Sequence, residues 1–221
     1  MPSITAATTG TCRRYDLAVF DLDGTLADSF GFFVANHNRL AQRHRFAPIA
    51  AHEVEHLRGM SPRQVMRHTR LPAWRLPLVA RDFRRLMQAE GHAIACFDGA
   101  REALHALHAR GMRLALVTSN SAQNSRRILG EDCWDLLAHV ECGASLFGKA
   151  RRLRRVLART GVPAARAIYI GDQASDAEAA RQAGLAFGAV AWGYATAEAL
   201  QACNPEVWLQ QVSELQALGG A

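Results

Sequence analysis

The stretch that decides the fold runs from Tyr15 to Ser29 and reads YDLAVFDLDGTLADS. Its first part, Tyr15 to Phe20, is a short apolar run stopped by Asp21, the pattern of a strand buried on both faces. Asp21 and Asp23 follow at once. Residues two apart on an extended chain point the same way, so both carboxylates can face one site. Gly24 permits a sharp turn there, and Thr25 adds a hydroxyl donor. On its own, an acid pair in a loop is a turn or a helix N-cap. Its weight depends on what the other strands end in.

Two further apolar runs, Arg113 to Ser119 (RLALVTS) and Ala167 to Asp172 (AIYIGD), read as strands of the same kind. Leu137–Glu141, Ala186–Ala191 and Glu206–Leu209 are weaker candidates. Helical periodicity fills the gaps over Gly99–Arg110, Ser121–Leu129, Ala150–Arg159 and Ser175–Ala183. This alternation predicts an α/β fold: a doubly wound, Rossmann-like parallel sheet covered on both faces. One segment breaks it. From Ser29 to about Ala95 only helical stretches occur, among them FGFFVANHNRLAQRH and PLVARDFRRLMQAEG. In RGMSPRQVM, Ser61 suits an N-cap and Pro62 a first helical turn. The expected organisation is a core of residues 15–28 and 96–221, a helical cap domain over 29–95, and a flexible tail over 1–14. A cap inserted there overhangs the carboxyl ends of the strands, where open α/β sheets bind ligands.

Composition narrows the function. The chain has 221 residues, 49% hydrophobic and 21% charged, which suits a globular protein able to bury a core. No apolar run approaches the length of a membrane span, and the start shows no basic leader followed by an apolar stretch. The five cysteines are odd in number and scattered, which predicts reduced thiols and a cytoplasmic setting. The net charge of +6 is spread along the chain without a DNA- or RNA-binding motif. A polyanion such as nucleic acid or a small phosphorylated substrate would each suit this excess, and charge alone does not separate them. With the motifs below, the expectation is a small phosphorylated metabolite, no nucleic acid and no membrane, for a monomer or homodimer, with non-enzymatic nucleic-acid binding as the alternative.

The acids recur at another strand end, where YIGDQASD supplies Asp172 and, at helical spacing on the same face, Asp176. Several carboxylates converging without partners repel each other. A hard divalent cation with oxygen ligands relieves this, and Mg²⁺ fits best beside a phosphate. VTSN, at the end of the second strand, adds the hydroxyls of Thr118 and Ser119 and backbone N–H groups near a helix start, suited to phosphate oxygens. Of the 26 basic side chains other than histidine, only Lys149 is a lysine. The arginines at 151, 152, 154 and 155 read as a solvated helix face. A competing motif, HEVEH from His52 to His56, matches a zinc-protease pattern. Pro62 stands where the longer form of that motif needs a third histidine, so the segment reads as an exposed cap helix.

DLDGTLADS, VTSN, the lysine of FGKA and GDQASD, in that order, resemble the four motifs of the haloacid-dehalogenase-like phosphohydrolases. The helical insertion resembles the cap of their phosphoglycolate-phosphatase and β-phosphoglucomutase branch. The resemblance covers residues 15 to about 200. It implies that Asp21 attacks a phosphoryl group and becomes an aspartyl phosphate, while Asp23 protonates the leaving alkoxide and then activates water. It implies Mg²⁺ held by the Asp21 side chain, the Asp23 carbonyl and Asp172, with Asp176 holding a metal-bound water or steering its neighbours. Thr118 and the Ser119 backbone would bind phosphoryl oxygens, and Lys149 would offset charge on nucleophile and phosphoryl group. In related caps the turn holding Arg58, Ser61 and Arg63 closes over the substrate. A phosphomutase would carry the same motifs. The chain departs from the pattern at Ser119, where many relatives have asparagine, and at Ala150, where phosphoglycolate phosphatases often have proline. Asp23 itself argues against dehalogenation, since the dehalogenases of the superfamily lack that acid.

Overall fold

The computed structural model describes residues 14–58, 60, 62–143 and 148–219. Six apolar runs form strands β1 (Leu17–Phe20), β2 (Arg113–Val117), β3 (Leu137–Glu141), β4 (Ala167–Gly171), β5 (Ala186–Val190) and β6 (Val207–Leu209). They make one sheet in the order β3-β2-β1-β4-β5-β6, with every pair parallel. In register, Phe20 lies opposite Leu116 on one side and Ile170 on the other. The residues that follow these three therefore leave the sheet along one edge.

The central strand explains why both sheet faces are covered. Ala18 and Phe20 enter one apolar cluster, while Leu17 and Val19 enter the other. The first cluster is closed by α5 (Ala100–Ala109), α6 (Ala122–Leu129) and α7 (Glu131–Asp135). The second is closed by α8 (Lys149–Thr160), α9 (Ala174–Ala183) and α10 (Ala197–Gln201). A strand with no exposed face needs this doubly wound arrangement. Ends are set by local chemistry: Ser121 caps α6 by accepting from the Asn124 N–H at 3.2 Å. Gly161 and Gly184, both with positive φ, stop α8 and α9.

Between β1 and α5 the described residues form the α-helices α1 (Phe30–His44), α2 (Val54–Arg58), α3 (Pro62–His68) and α4 (Leu76–Glu90), joined in part by short 3-10 turns. Leu40, Ala41, Phe46 and Val79 form their own small core. The two connections to this helical cap run side by side: Asp28 N–H donates to the Ala95 carbonyl at 3.0 Å, and Phe97 N–H to Leu26 at 2.9 Å. Ser61, expected as an N-cap, lies outside the described residues, as do residues 1–13 of the expected tail. His52 sits in a 3-10 turn and His56 on α2, both exposed. Among the described residues neither joins a group of side chains placed to share a metal.

One sequence expectation is corrected. Arg152 and Arg155 do not simply face solvent. They converge on the buried Glu141 at the end of β3, at 2.6 and 3.0 Å. A buried carboxylate requires such partners, and β3 packs directly against α8.

Candidate active site

Two strand tips and one helix start deliver the acids. Asp21 follows β1, Asp172 follows β4, and Asp176 lies on the first turn of α9. All three are buried, and one carboxylate oxygen from each lies within 4.8 Å of the others. The second group with such geometry among the described residues, His105, Asp132 and Cys133, has Arg101 paired to its carboxylate.

Close packing of this kind needs missing side chains around it. Gly24 holds φ +79°, and a Cβ on it would stand 2.1 Å from Asp172 Oδ2. A Cβ on Gly193 would meet Asp172 Cβ at 2.2 Å, and one on Gly171 would meet Asp176 Cβ at 2.6 Å. Asp172 is further fixed by the Thr25 hydroxyl at 3.2 Å and the Tyr194 N–H at 2.8 Å. Asp176 accepts from the Gln173 N–H at 3.1 Å, closing the first turn of α9, and from the Tyr169 hydroxyl at 3.2 Å.

Lys149 opens α8 and is buried. Its Nζ donates to Asp21 Oδ2 at 2.5 Å and to Asp176 Oδ1 at 2.6 Å. Burial works against its charge, but Asp176 and Asp21 together overcome this and hold its pKa well above the ordinary value. For Asp21, burial is the larger influence. With the help of Asp176 it outweighs the pull of Lys149 and pushes the carboxyl up to about 7. Asp172 is pushed well above the usual carboxylate range by burial and by the charges of Asp176 and Asp21. One ammonium thus faces three buried carboxylates, an excess of negative charge lined with oxygens only. That donor set fits a hard divalent cation.

Asp23 points elsewhere. Its carboxylate takes the Asn120 amide at 3.2 Å, and burial raises its pKa against the pull of its hydrogen-bond donors. Thr118 is fully buried at the end of β2. Its hydroxyl accepts the Asn120 N–H at 3.0 Å and finds no acceptor for its own proton among the described residues. Ser119 lies on the wall of a cavity of about 630 Å³, together with Asp21, Asp23, Asn120 and Lys149. Arg58 is also on that wall, but its guanidinium is engaged with the core: Nη2 donates to the Gly193 carbonyl at 2.7 Å, Nε to Tyr194 at 3.1 Å, and Cζ sits 4.9 Å from the Phe30 ring.

Sequence reasoning missed Asn120, Tyr169 and Tyr194. Asn120 had a usable signal, since it closes the VTSN strand end. The tyrosines had none, because their roles depend on residues they meet only in space: Tyr169 meets Asp176, and the Tyr194 hydroxyl pairs with Ser29 at 2.8 Å.

The sequence pattern of the haloacid dehalogenase-like hydrolases matches residues 18–190. A phosphoglycolate phosphatase of Synechococcus elongatus is 33% identical over 198 residues, covering 89% of this chain and 93% of that one. The tyrosine-protein kinase PtkA of Mycobacterium tuberculosis is 31% identical over 189 residues, covering 82% of this chain and 64% of that one. A solved haloacid dehalogenase-like hydrolase from Streptococcus pneumoniae superposes with a TM-score of 0.76 at 20% identity, covering 92% and 98% of the two chains, and shares the fold. A doubly wound parallel sheet under a helical cap, with acids gathered at its strand tips, here marks an enzyme: a hydrolase of the phosphatase type. The chain belongs to the haloacid dehalogenase-like hydrolase family, in its phosphoglycolate-phosphatase and phosphoglucomutase-like branch. No helix among the described residues is long and apolar enough to cross a membrane.

Proposed function

We propose that this enzyme hydrolyses a small phosphomonoester with Mg²⁺ through an aspartyl phosphate formed on Asp21. The observation that carries the reading is the convergence of Asp21, Asp172, Asp176 and Lys149 on one buried point, at the head of a cavity that Ser119 and Asn120 also line. The Asp21 carboxylate attacks phosphorus, and the bond from phosphorus to the leaving oxygen breaks as Asp23 gives that oxygen its proton. Asp23, now ionised, takes a proton from water. The water oxygen attacks the aspartyl phosphate, releasing inorganic phosphate and restoring Asp21.

Thr118 directs its unused hydroxyl proton, and Ser119 its backbone N–H, to the phosphoryl oxygens. Lys149 offsets charge on Asp21 while Asp176 and Tyr169 hold it in place. The Asp21 and Asp172 side chains and the Asp23 carbonyl would hold Mg²⁺, beside Asp176. When bound, the ion neutralises charge on the transferring phosphoryl group. Residues 29–95 act as a cap on a core of 15–28 and 96–221, and their closure excludes bulk water. The named activity of the Synechococcus relative supports a phosphoglycolate-like substrate, and scattered free cysteines suit the cytoplasm.

The test is a screen of metabolite phosphates with Mg²⁺ and with excess chelator, alongside Asp21→Asn. Phosphate release should require the metal and vanish in the variant. Release undiminished in Asp21→Asn would refute the nucleophile assignment.

A further inference from the structure

The cavity that begins at Asp21 and Asp23 does not stop at the strand tips. It continues into the cap, and among the described residues its wall there is mostly carbon: Phe33, Leu40, Phe46, Ile49, Val79 and Phe83 are typical, while the polar His37 and Asn38 bond to each other and the Thr69 hydroxyl donates to the Val65 carbonyl. At about 630 Å³ it falls within the range of pockets that enclose whole small-molecule ligands, far more than a two-carbon acid fills. Cations are sparse on that wall. Lys149 is held by Asp21 and Asp176, and Arg58 spends its donors on the Gly193 and Tyr194 carbonyls. Arg84 alone has no hydrogen bond or ion pair from its side chain among the described residues.

We propose that the leaving group this enzyme reads is a bulky apolar alcohol, so that its substrate class is alkyl or aryl phosphomonoesters with several carbons beyond the ester oxygen. The inference rests on the phosphatase reading above and puts a larger, apolar leaving group in place of its phosphoglycolate-like substrate. The phosphoryl group occupies the polar end, and the hydrocarbon enters the apolar vault, where each methylene leaves water. A wall of this kind rewards added carbon and offers a second charge little besides Arg84, since His37, Asn38 and Thr69 already spend hydrogen bonds on each other or on backbone.

The experiment has two arms on the wild-type protein with Mg²⁺. The first measures kcat/KM for ethyl, butyl, hexyl and octyl phosphate beside 2-phosphoglycolate. The second measures Kd by calorimetry for the matching alkylphosphonates, which cannot be hydrolysed. The expected result is a rise of about fourfold per added methylene in both series until the vault is filled. Octyl phosphate should exceed phosphoglycolate by at least a hundredfold. Val79→Trp, which fills the vault from α4, should flatten the rise in both series. A flat series in both arms, or phosphoglycolate preferred over octyl phosphate, overturns the proposal while leaving the phosphatase reading intact. Phosphonates that tighten with length, without any Asp21-dependent turnover, would sustain the apolar site and sink the phosphatase reading instead. Should Val79→Trp fail to fold, the phosphonate series still decides.

Discussion

Replacing Gly24 by alanine tests how the site is assembled. At φ +79° a residue with a Cβ carries about 1–2 kcal/mol of strain. The new methyl would also stand 2.1 Å from Asp172 Oδ2 and 2.5 Å from Tyr194 Cδ1. Ordinary contact needs roughly 3.5 Å, so the carboxylate must retreat by more than about 1 Å. That retreat stretches its bonds to Thr25 and the Tyr194 N–H, and overpacking of this kind costs about 1–3 kcal/mol more. The total is about 2–5 kcal/mol. For a chain of this size that lowers Tm by roughly 10 °C in a circular-dichroism melt. If Asp172 holds Mg²⁺ as proposed, a displacement of about 1 Å in its carboxylate lowers turnover about a hundredfold. Gly31→Ala is the control. It lies in α1 with nothing within 4 Å of the added carbon, and should be neutral or stabilising by about 0.5–1 kcal/mol. If Gly24→Ala melts with wild-type Tm and turns over within threefold of wild type, the packing account of Asp172 is wrong.

Lys149→Arg should fold, yet lose about 10²–10³ in kcat, because a planar guanidinium cannot take the place of a compact ammonium seated between Asp21 and Asp176. Turnover close to wild type would mean that any cation serves. Arg58→Ala removes the cap's two bonds to core carbonyls and should lower kcat/KM about tenfold with little change in Tm, since it loosens closure and not the core. A pure stability loss would assign Arg58 to packing. Glu141→Gln should destabilise by about 2 kcal/mol near pH 7. Burial alone would raise the Glu141 pKa, but Arg152, His139 and Arg155 outweigh it, and the folded value lies below the unfolded one. Its stabilisation is therefore complete above the unfolded carboxylate pKa and disappears as pH falls through the lower folded value. The gap in Tm between the two proteins should close in acid, and a gap independent of pH would exclude the charge as its cause.

Much of the architecture was legible in the chain because it depends on local chemistry. All six runs became strands within two residues of their expected ends, and the two central ones, β1 and β4, are continuously apolar, buried throughout and halted by Asp21 and Asp172. The acids were legible as a group for the same reason: Asp21 and Asp172 each interrupt such a run, and Asp176 follows at helical spacing. The helix boundary at Lys149 was less so. Its helix begins one residue earlier than the periodicity suggested, because the buried lysine itself supplies the first turn.

What the sequence determined by itself is the order of elements and which side chains stand at their tips, for both follow from neighbours along the chain. What only tertiary structure decided is how those side chains are used. Lys149 meets an acid 128 residues away and another 27 away. Arg58, expected over the substrate, turns to core carbonyls 135 and 136 residues distant. The cap's apolar residues, which periodicity assigns simply to a core, line a vault open to the acids. Hydrogen bonds, ion pairs and cavities are made by groups that packing brings together, and the free energy of each depends on burial that no local pattern records.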